Sequence, residues 1–179
     1  SGNISIAAAS TDYTATISGL TASTDYDVYV VAQDDESTPN VQADPTLINL
    51  TTADPDVTAP TWTSTYPQSA NVGDHDFDLL VSTDEIGTAY YVVLPALSAA
   101  PTSAEVKAGT ASGGGVAITS GSINISAPST EFTKNISGLN SSTVYDVYVV
   151  AEDDEATPNL QSDPSSVQVH TTVTYPEPT

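Results

Sequence analysis

The sequence contains no cysteine and no methionine, and only two of its 179 residues are lysine or arginine. Without cysteine, it can form neither a disulfide framework nor a thiolate metal site. The 23 aspartates and glutamates bring the formal net charge to −21. Nucleic acids and anionic membrane surfaces would be repelled by this charge and are excluded as expected partners. No apolar run approaches the roughly 18 residues of a membrane-spanning helix, so we expect no membrane insertion by this segment.

Hydrophobic residues nevertheless make up 39% of the chain, and many are valine, isoleucine or tyrosine. This composition is sufficient for a packed core and distinguishes the chain from a disordered acidic tail. The sequence also repeats itself without a gap: Ser1 aligns with Ser120, so the period is 119 residues, and the match runs to Thr52 and Thr171. More than half of the aligned positions are identical. A period of this length corresponds to a whole domain, not to a solenoid unit.

The repeat predicts four segments. Residues 1–53 are the C-terminal part of an upstream repeat, 54–60 a proline-stiffened linker, 57–172 a complete repeat, and 173–179 the start of the next linker. Half of a sandwich would leave a hydrophobic face and a strand edge exposed. Either the sequence is a window on a longer polypeptide, or another copy supplies the missing strands.

Period-two alternation of β-branched and aromatic residues predicts a strand that begins at Tyr145, and short apolar runs between turn signals predict others at 61–72 (interrupted), 77–81, 116–118, 123–125, 131–136 and 167–171. The nearly continuous apolar run at 88–94 predicts a central strand that is covered on both faces, or one whose outer face contacts something else. The one helical stretch is near 102–108, where Thr102 and Glu105 fit a capping box and Gly109 fits the C-terminal stop. Many short strands with turn signals between them predict an all-β sandwich with one short helix.

One pattern occurs twice with the same spacing: Leu139, Thr143, Tyr145, Val147 and Val149, echoed by Leu20, Thr24, Tyr26, Val28 and Val30. It resembles the tyrosine corner of fibronectin type III domains, in which the tyrosine hydrogen-bonds back to the preceding turn. The residues 87–93 and 100–109 resemble a bacterial variant with a small helix after the third strand. The resemblance therefore implies tandem fibronectin type III or Ig-like sandwiches, with Leu20, Tyr26, Leu139 and Tyr145 in structural corners.

Such domains occur in tandem in large secreted or surface proteins, including adhesins of gliding and biofilm-forming bacteria. The resemblance implies an extracellular location and a structural function: extending a stalk or filament that presents a functional tip. Its partners would be neighbouring repeats or copies of itself, with a polysaccharide or protein target elsewhere in the parent protein. We expect no enzymatic activity from this segment.

Acidic residues cluster at the joint and after two predicted strands. The family topology would gather seven of them at one interdomain seam: Asp54, Asp56, Asp84, Glu85, Asp153, Asp154 and Glu155. Converging carboxylates repel one another unless a cation intervenes, and Ca²⁺ binds six to eight oxygens in irregular loops. We hypothesise a Ca²⁺ site that stiffens one domain against the next. The alternative is that these residues are simply solvated loop acids.

The opening strand also carries apolar residues on its other face. If Tyr145, Val147 and Val149 point inward, Tyr148 and Val150 point outward, as do Tyr29 and Val31 in the first copy. These four residues form a candidate lateral contact face. Alternatively, the 95–115 excursion shields them.

Two other functions remain open at this stage. The chain could be a spacer or carbohydrate-binding module of a secreted polysaccharide-degrading enzyme, in which case exposed aromatic residues should line a groove. It could also be a self-assembling filament subunit, in which residues 1–53 complete a neighbour's sandwich.

Overall fold

The structure is a computed structural model, which describes residues 1–173. The chain forms two compact units, Ser1–Asp56 and Val57–Thr179. The linker predicted at 173–179 falls, from residue 174 onward, outside the described residues.

The first unit contains one antiparallel hairpin, formed by β1 (Asp25–Val30) and β2 (Thr46–Thr51). Tyr26 pairs with Leu50, and Val28 pairs with Ile48. All of β2 and most of β1 is exposed, and none of the described residues 1–24 lies in a strand. The hairpin is therefore formed by pairing within itself, with both of its faces open.

The second unit is a two-layer sandwich. Its strands are β3 (Gln68–Ala70), β4 (Asp76–Val81), β5 (Gly87–Pro95), β6 (Thr110–Ala111), β7 (Gly115–Val116), β8 (Thr119–Ile125), β9 (Phe132–Ser137), β10 (Val144–Asp153) and β11 (Ser165–His170). One sheet has the order β11-β10-β5-β8, and the other has the order β3-β4-β9. All pairings in these sheets are antiparallel, and β6 and β7 form a separate two-stranded ribbon.

The core lies between the two sheets because each sheet turns every second residue inward. In β4 the buried positions are Phe77, Leu79 and Val81, which pack against residues of β5 and β10 such as Tyr91 and Val147. Burial of a large apolar side chain stabilises the fold by about 1.5–3 kcal/mol. These interdigitated side chains are therefore the main stabilising contribution to the unit.

The four-stranded sheet is also covered on its outer face. The helix α1 (Ser103–Lys107) packs Val106 against Val92, Leu94 and Val150 in a second apolar cluster. The Thr102 hydroxyl accepts a hydrogen bond from the Glu105 amide, and Glu105 accepts one from the Thr102 amide. The predicted capping box thus starts the helix, and burial of Val106 holds this short element in place.

The prediction of an all-β sandwich with one short helix is confirmed. Two strand predictions were wrong in extent. The stretch 61–72 is a strand only at Gln68–Ala70, with an isolated bridge from Trp62 to Thr83. Of the stretch 116–118, only Val116 is in a strand, in the β6–β7 ribbon, and its side chain is almost fully exposed. Among residues 1–173, no helix is long and apolar enough to cross a membrane.

Candidate functional site

The acidic loops that follow β4 and β10 lie side by side in the second unit. The last pair in the register between β5 and β10 joins Gly87 to Asp153. A Cβ atom on Gly87 would lie 2.0 Å from the Glu152 carbonyl oxygen, so only glycine allows this close approach. The loop that contains Glu85 is thereby held next to the end of β10.

Three carboxylates converge at this point. Asp56, which directly precedes Val57 of this unit, Glu85 and the buried Asp153 each place one carboxylate oxygen within 4.8 Å of the others. Like charges at such distances repel, and a divalent cation would neutralise them. Carboxylate oxygens are also the ligands preferred by hard cations. The three residues therefore form an arrangement that can hold a metal ion.

Asp153 is oriented by its own loop. Its two carboxylate oxygens accept hydrogen bonds from the backbone N–H and the side-chain amide of Asn159, each at 2.8 Å. Asp34 makes the same two bonds with Asn40 in the first unit, at 2.8 and 2.7 Å. The side-chain bond from Asn40 is the main cause that lowers the pKa of Asp34. This loop clamp is thus encoded locally, and the four lone-pair positions of a carboxylate leave capacity for a further ligand.

The other four predicted ligands lie elsewhere. Asp84 accepts hydrogen bonds from the Thr61 backbone N–H at 2.7 Å and from the Thr61 hydroxyl at 2.6 Å. Burial raises the pKa of Asp84, but these bonds outweigh it and the net pKa is lowered. Asp54 accepts a hydrogen bond from Ser23 within the first unit, while Asp154 and Glu155 are exposed and outside the three-carboxylate cluster.

Both tyrosine corners are formed. The Tyr145 hydroxyl accepts a hydrogen bond from the Asn140 backbone N–H at 2.8 Å, beside the buried Leu139. The Tyr26 hydroxyl accepts the equivalent bond from the Thr21 N–H, also at 2.8 Å. Leu20, however, is exposed, whereas Leu139 is buried in the core. The corner is therefore the same in both units, and its surroundings differ.

The residues of the candidate contact face differ in the same way. In the second unit, Val150 is fully buried under α1, and Tyr148 packs partly buried beside it. In the first unit, Tyr29 and Val31 are 65% and 53% exposed. The excursion that carries α1 shields this face in the second unit, and no equivalent element covers it within the first unit.

The sequence gives no direct sign of an ion pair between an exposed lysine and a buried glutamate. Lys107, at the end of α1, pairs with the buried Glu152 of β10, which also accepts a hydrogen bond from the Tyr90 hydroxyl at 3.1 Å. Its bond with Glu152 is the main cause that raises the pKa of Lys107, whose ammonium lies 5.8 Å from the centroid of the Tyr90 ring. The available signal was an acid next to the apolar run 147–151 of β10, but its partner is 45 residues away in sequence.

Trp62 borders a shallow depression of the second unit. It packs partly buried against the core, and its indole N–H has no hydrogen-bond partner in the described residues. Residues Pro60, Gln161 and Asp163 line the same depression. The indole nitrogen is buried, so only the exposed part of the ring, beside these polar side chains, offers a surface on which a sugar ring can stack.

No known protein-family model matches this chain. None of the curated proteins matches it either.

Proposed function

We propose that the chain is part of a tandem array of fibronectin type III-like sandwiches in a secreted or surface-anchored bacterial protein, where it extends a stalk or filament. The observation that carries this proposal is the recurrence of one hydrogen-bonded hairpin after 119 residues. The tyrosine corner and the loop clamp return with equal distances in both copies. Repeating one domain shape along a chain lengthens the chain without changing the shape of each copy, and this is the basis of the mechanical function proposed here.

The strand order supports the fibronectin type III assignment. Three strands in one sheet (β3-β4-β9) face four in the other (β11-β10-β5-β8), with the tyrosine corner at the start of β10. The acidic surface supports an extended array, because neighbouring domains of like charge repel and stay soluble.

The test is the scaling of size with repeat number. Concatemers of residues 54–172 with two and four copies are measured by small-angle X-ray scattering. A linear array should nearly double its radius of gyration between them. A collapsed chain should increase its radius only about 1.3-fold, because compact proteins scale as roughly N^0.38. Growth of the collapsed kind would refute the stalk function.

For the three-carboxylate cluster, we propose Ca²⁺ as the ion. The donors are carboxylate oxygens on irregular loops, and Ca²⁺ tolerates such geometry better than Mg²⁺, which requires a near-ideal octahedron. Occupancy would tie Asp56 to the loop ends of the sandwich and so stabilise the folded second unit.

The proposed ion is tested by thermal unfolding in millimolar Ca²⁺ and in chelator. At a tenfold excess over Kd, binding to the folded state adds about 1.4 kcal/mol, which raises the Tm by several degrees. Glu85→Gln should abolish this increase, and the exposed neighbour Asp154→Asn is the matched control that should keep it. An equal Tm with and without Ca²⁺ would exclude the site.

A second candidate function, a spacer or carbohydrate-binding module of a polysaccharide-degrading enzyme, is favoured by the depression beside Trp62. Titration of soluble polysaccharides against Trp62 fluorescence tests it directly. Saturable quenching that Asp163→Ala weakens would support binding. Unchanged fluorescence across neutral and acidic glycans would exclude this surface.

A further inference from the structure

The same residues are covered in one unit and open in the other. Val149 and Val150 are fully buried in the second unit, while their counterparts Val30 and Val31 are 45% and 53% exposed. The same contrast holds for the pairs Ile17 and Ile136, Leu20 and Leu139, Ile4 and Ile123, Ile6 and Ile125, and Leu50 and Val169. In the second unit these side chains are covered largely by β4, β5 and α1, all of which belong to residues 57–119.

The backbone shows the same dependence. In the second unit, residues 119–137 supply β8 and β9, whose ladder partners are β5 and β4 respectively. The matching residues of the first unit, between 1 and 18, form no strand. Only the hairpin persists, because β1 and β2 pair with each other as β10 and β11 do. What the first unit lacks, in both layers, is the contribution of residues 57–119.

We infer that the first unit is a docking face for one further segment of the kind formed by residues 57–119, which would convert it into a second sandwich. The inference deepens the proposed function and rests on its repeat architecture. The occupant inserts a strand like β4 beside residues 12–18 and a strand like β5 between β1 and residues 1–6. It then lays a helix like α1 over Val31 and Tyr29.

A second copy of this chain cannot supply that segment at equilibrium. Residues 1–179 include two hairpin halves, 1–52 and 120–171, but only one 57–119 half. If a neighbour lends its 57–119 half to one first unit, its own second hairpin loses the same burial. Exchange between copies therefore leaves one apolar face open per chain and gains no net contacts. The occupant must be an additional segment.

The hairpin also defines the chemistry of its occupant. The inner face of the occupant must present apolar residues at the positions that correspond to Phe77, Leu79 and Val81, which fill the core of the second unit. The position of Lys107 is different. The first unit has Gln33 at the position of Glu152 in the second unit. The helix of the occupant therefore contacts a neutral amide there and does not need a lysine at the position of Lys107.

The experiment extends the chain with its own sequence. A second copy of residues 57–119 is fused directly before Ser1, where it reproduces the natural Thr119–Ser120 junction. Hydrogen exchange is followed by mass spectrometry for peptides of β1 and β10. In the unextended chain, β1 should exchange at nearly the rate of an unfolded peptide, because an isolated two-stranded hairpin is marginal. In the extended chain, its exchange should slow by at least about 100-fold.

Two controls make the result specific. In one, Leu79→Asp is placed in the added copy only, which should return β1 to fast exchange while β10 stays protected. In the other, Gln33→Glu is introduced. It should slow β1 exchange further in the extended chain, where the added copy of Lys107 can pair with it, and should change nothing in the unextended chain.

Fast exchange of β1 in the extended chain, with β10 still protected, would overturn the inference. Protection of β1 in the unextended chain that rises with protein concentration would also overturn it, since a second copy would then be the occupant. The scattering test of the stalk function is separate. If β1 is protected in the extended chain but the concatemers are collapsed, the stalk function is refuted and the docking face is retained. If β1 exchanges fast but the concatemers are extended, the docking face is refuted and the stalk function is retained.

Discussion

The tyrosine corner of the second unit contains a hydrogen bond whose contribution to stability can be measured, with the corner of the first unit as a control. Tyr145→Phe removes the acceptor of the Asn140 N–H in a corner where Tyr145 is only 2% exposed. The bond is part-buried, and a fully buried N–H left without a partner would cost about 1–3 kcal/mol, so we expect the free energy of unfolding of the second unit to fall by about 1 kcal/mol. Tyr26→Phe removes the equivalent bond of equal length from the Thr21 N–H, which is exposed to water. That change should stay within about 0.5 kcal/mol.

The assay is urea unfolding followed by the fluorescence of Trp62, the only tryptophan. This residue packs against the core of the second unit and therefore reports the unfolding of that unit. Tyr145→Phe should lower the midpoint and leave the m-value unchanged, since the surface exposed on unfolding is the same. Because Tyr26 lies in the first unit, Tyr26→Phe is the control that should leave this midpoint unchanged. A midpoint for Tyr145→Phe equal to that of the unsubstituted chain would refute the argument that the corner bond stabilises the second unit.

Three further predictions use the same assay. Val150→Ala should destabilise the second unit by about 2 kcal/mol because it opens a cavity under α1, and its exposed counterpart Val31→Ala should have no measurable effect. Lys107→Met should cost about 1–2 kcal/mol, below the range for fully buried pairs because the lysine is 42% exposed, and adding Glu152→Gln should restore most of this loss. Folding raises the pKa of Lys107, so the stabilisation by the ion pair is complete below the ordinary lysine pKa of 10.5 and is lost as the pH rises through the raised value. The stability of the unsubstituted chain should therefore fall more steeply in this pH range than that of the variant with both Lys107→Met and Glu152→Gln. Equal slopes would contradict this. The lowered pKa of Asp84 has the opposite sign: its contribution is present above the ordinary value of 3.8 and is lost as the pH falls through the folded value, so Asp84→Asn should flatten the acid side of the stability profile.

The elements predicted best from sequence are those whose signal is local. The strands expected at 77–81 and 88–94 are observed as Asp76–Val81 and Gly87–Pro95, because alternate burial in the first and burial on both faces in the second leave direct traces in the residue pattern. The helix was found for the same reason, since its capping box lies within four residues. The strand expected at 116–118 was wrong because the β-propensity of Val116 is used in a short exposed ribbon, not in a sheet.

The candidate site was only partly predictable, because it depends on how loops from distant elements meet. Asp56, Glu85 and Asp153 were among the seven proposed ligands and do converge. Sequence gave no indication that Asp84 would bond to Thr61, since the two lie on different loops. Whether the cluster binds Ca²⁺ stays a prediction. The fibronectin type III assignment also stays a prediction.

The pair between Lys107 and Glu152 has a consequence during folding. Residues 57–119 are flanked by two hairpins of related sequence, one synthesised before them and one after, and both carry apolar residues at the positions that pack against this segment in the second unit. Adjacent repeats of high identity are prone to misassembly. Pairing with the later hairpin satisfies the lysine with a carboxylate, whereas pairing with the earlier one offers it only the amide of Gln33. The charge difference at this one position thus biases the sandwich toward the later hairpin and disfavours the permuted arrangement.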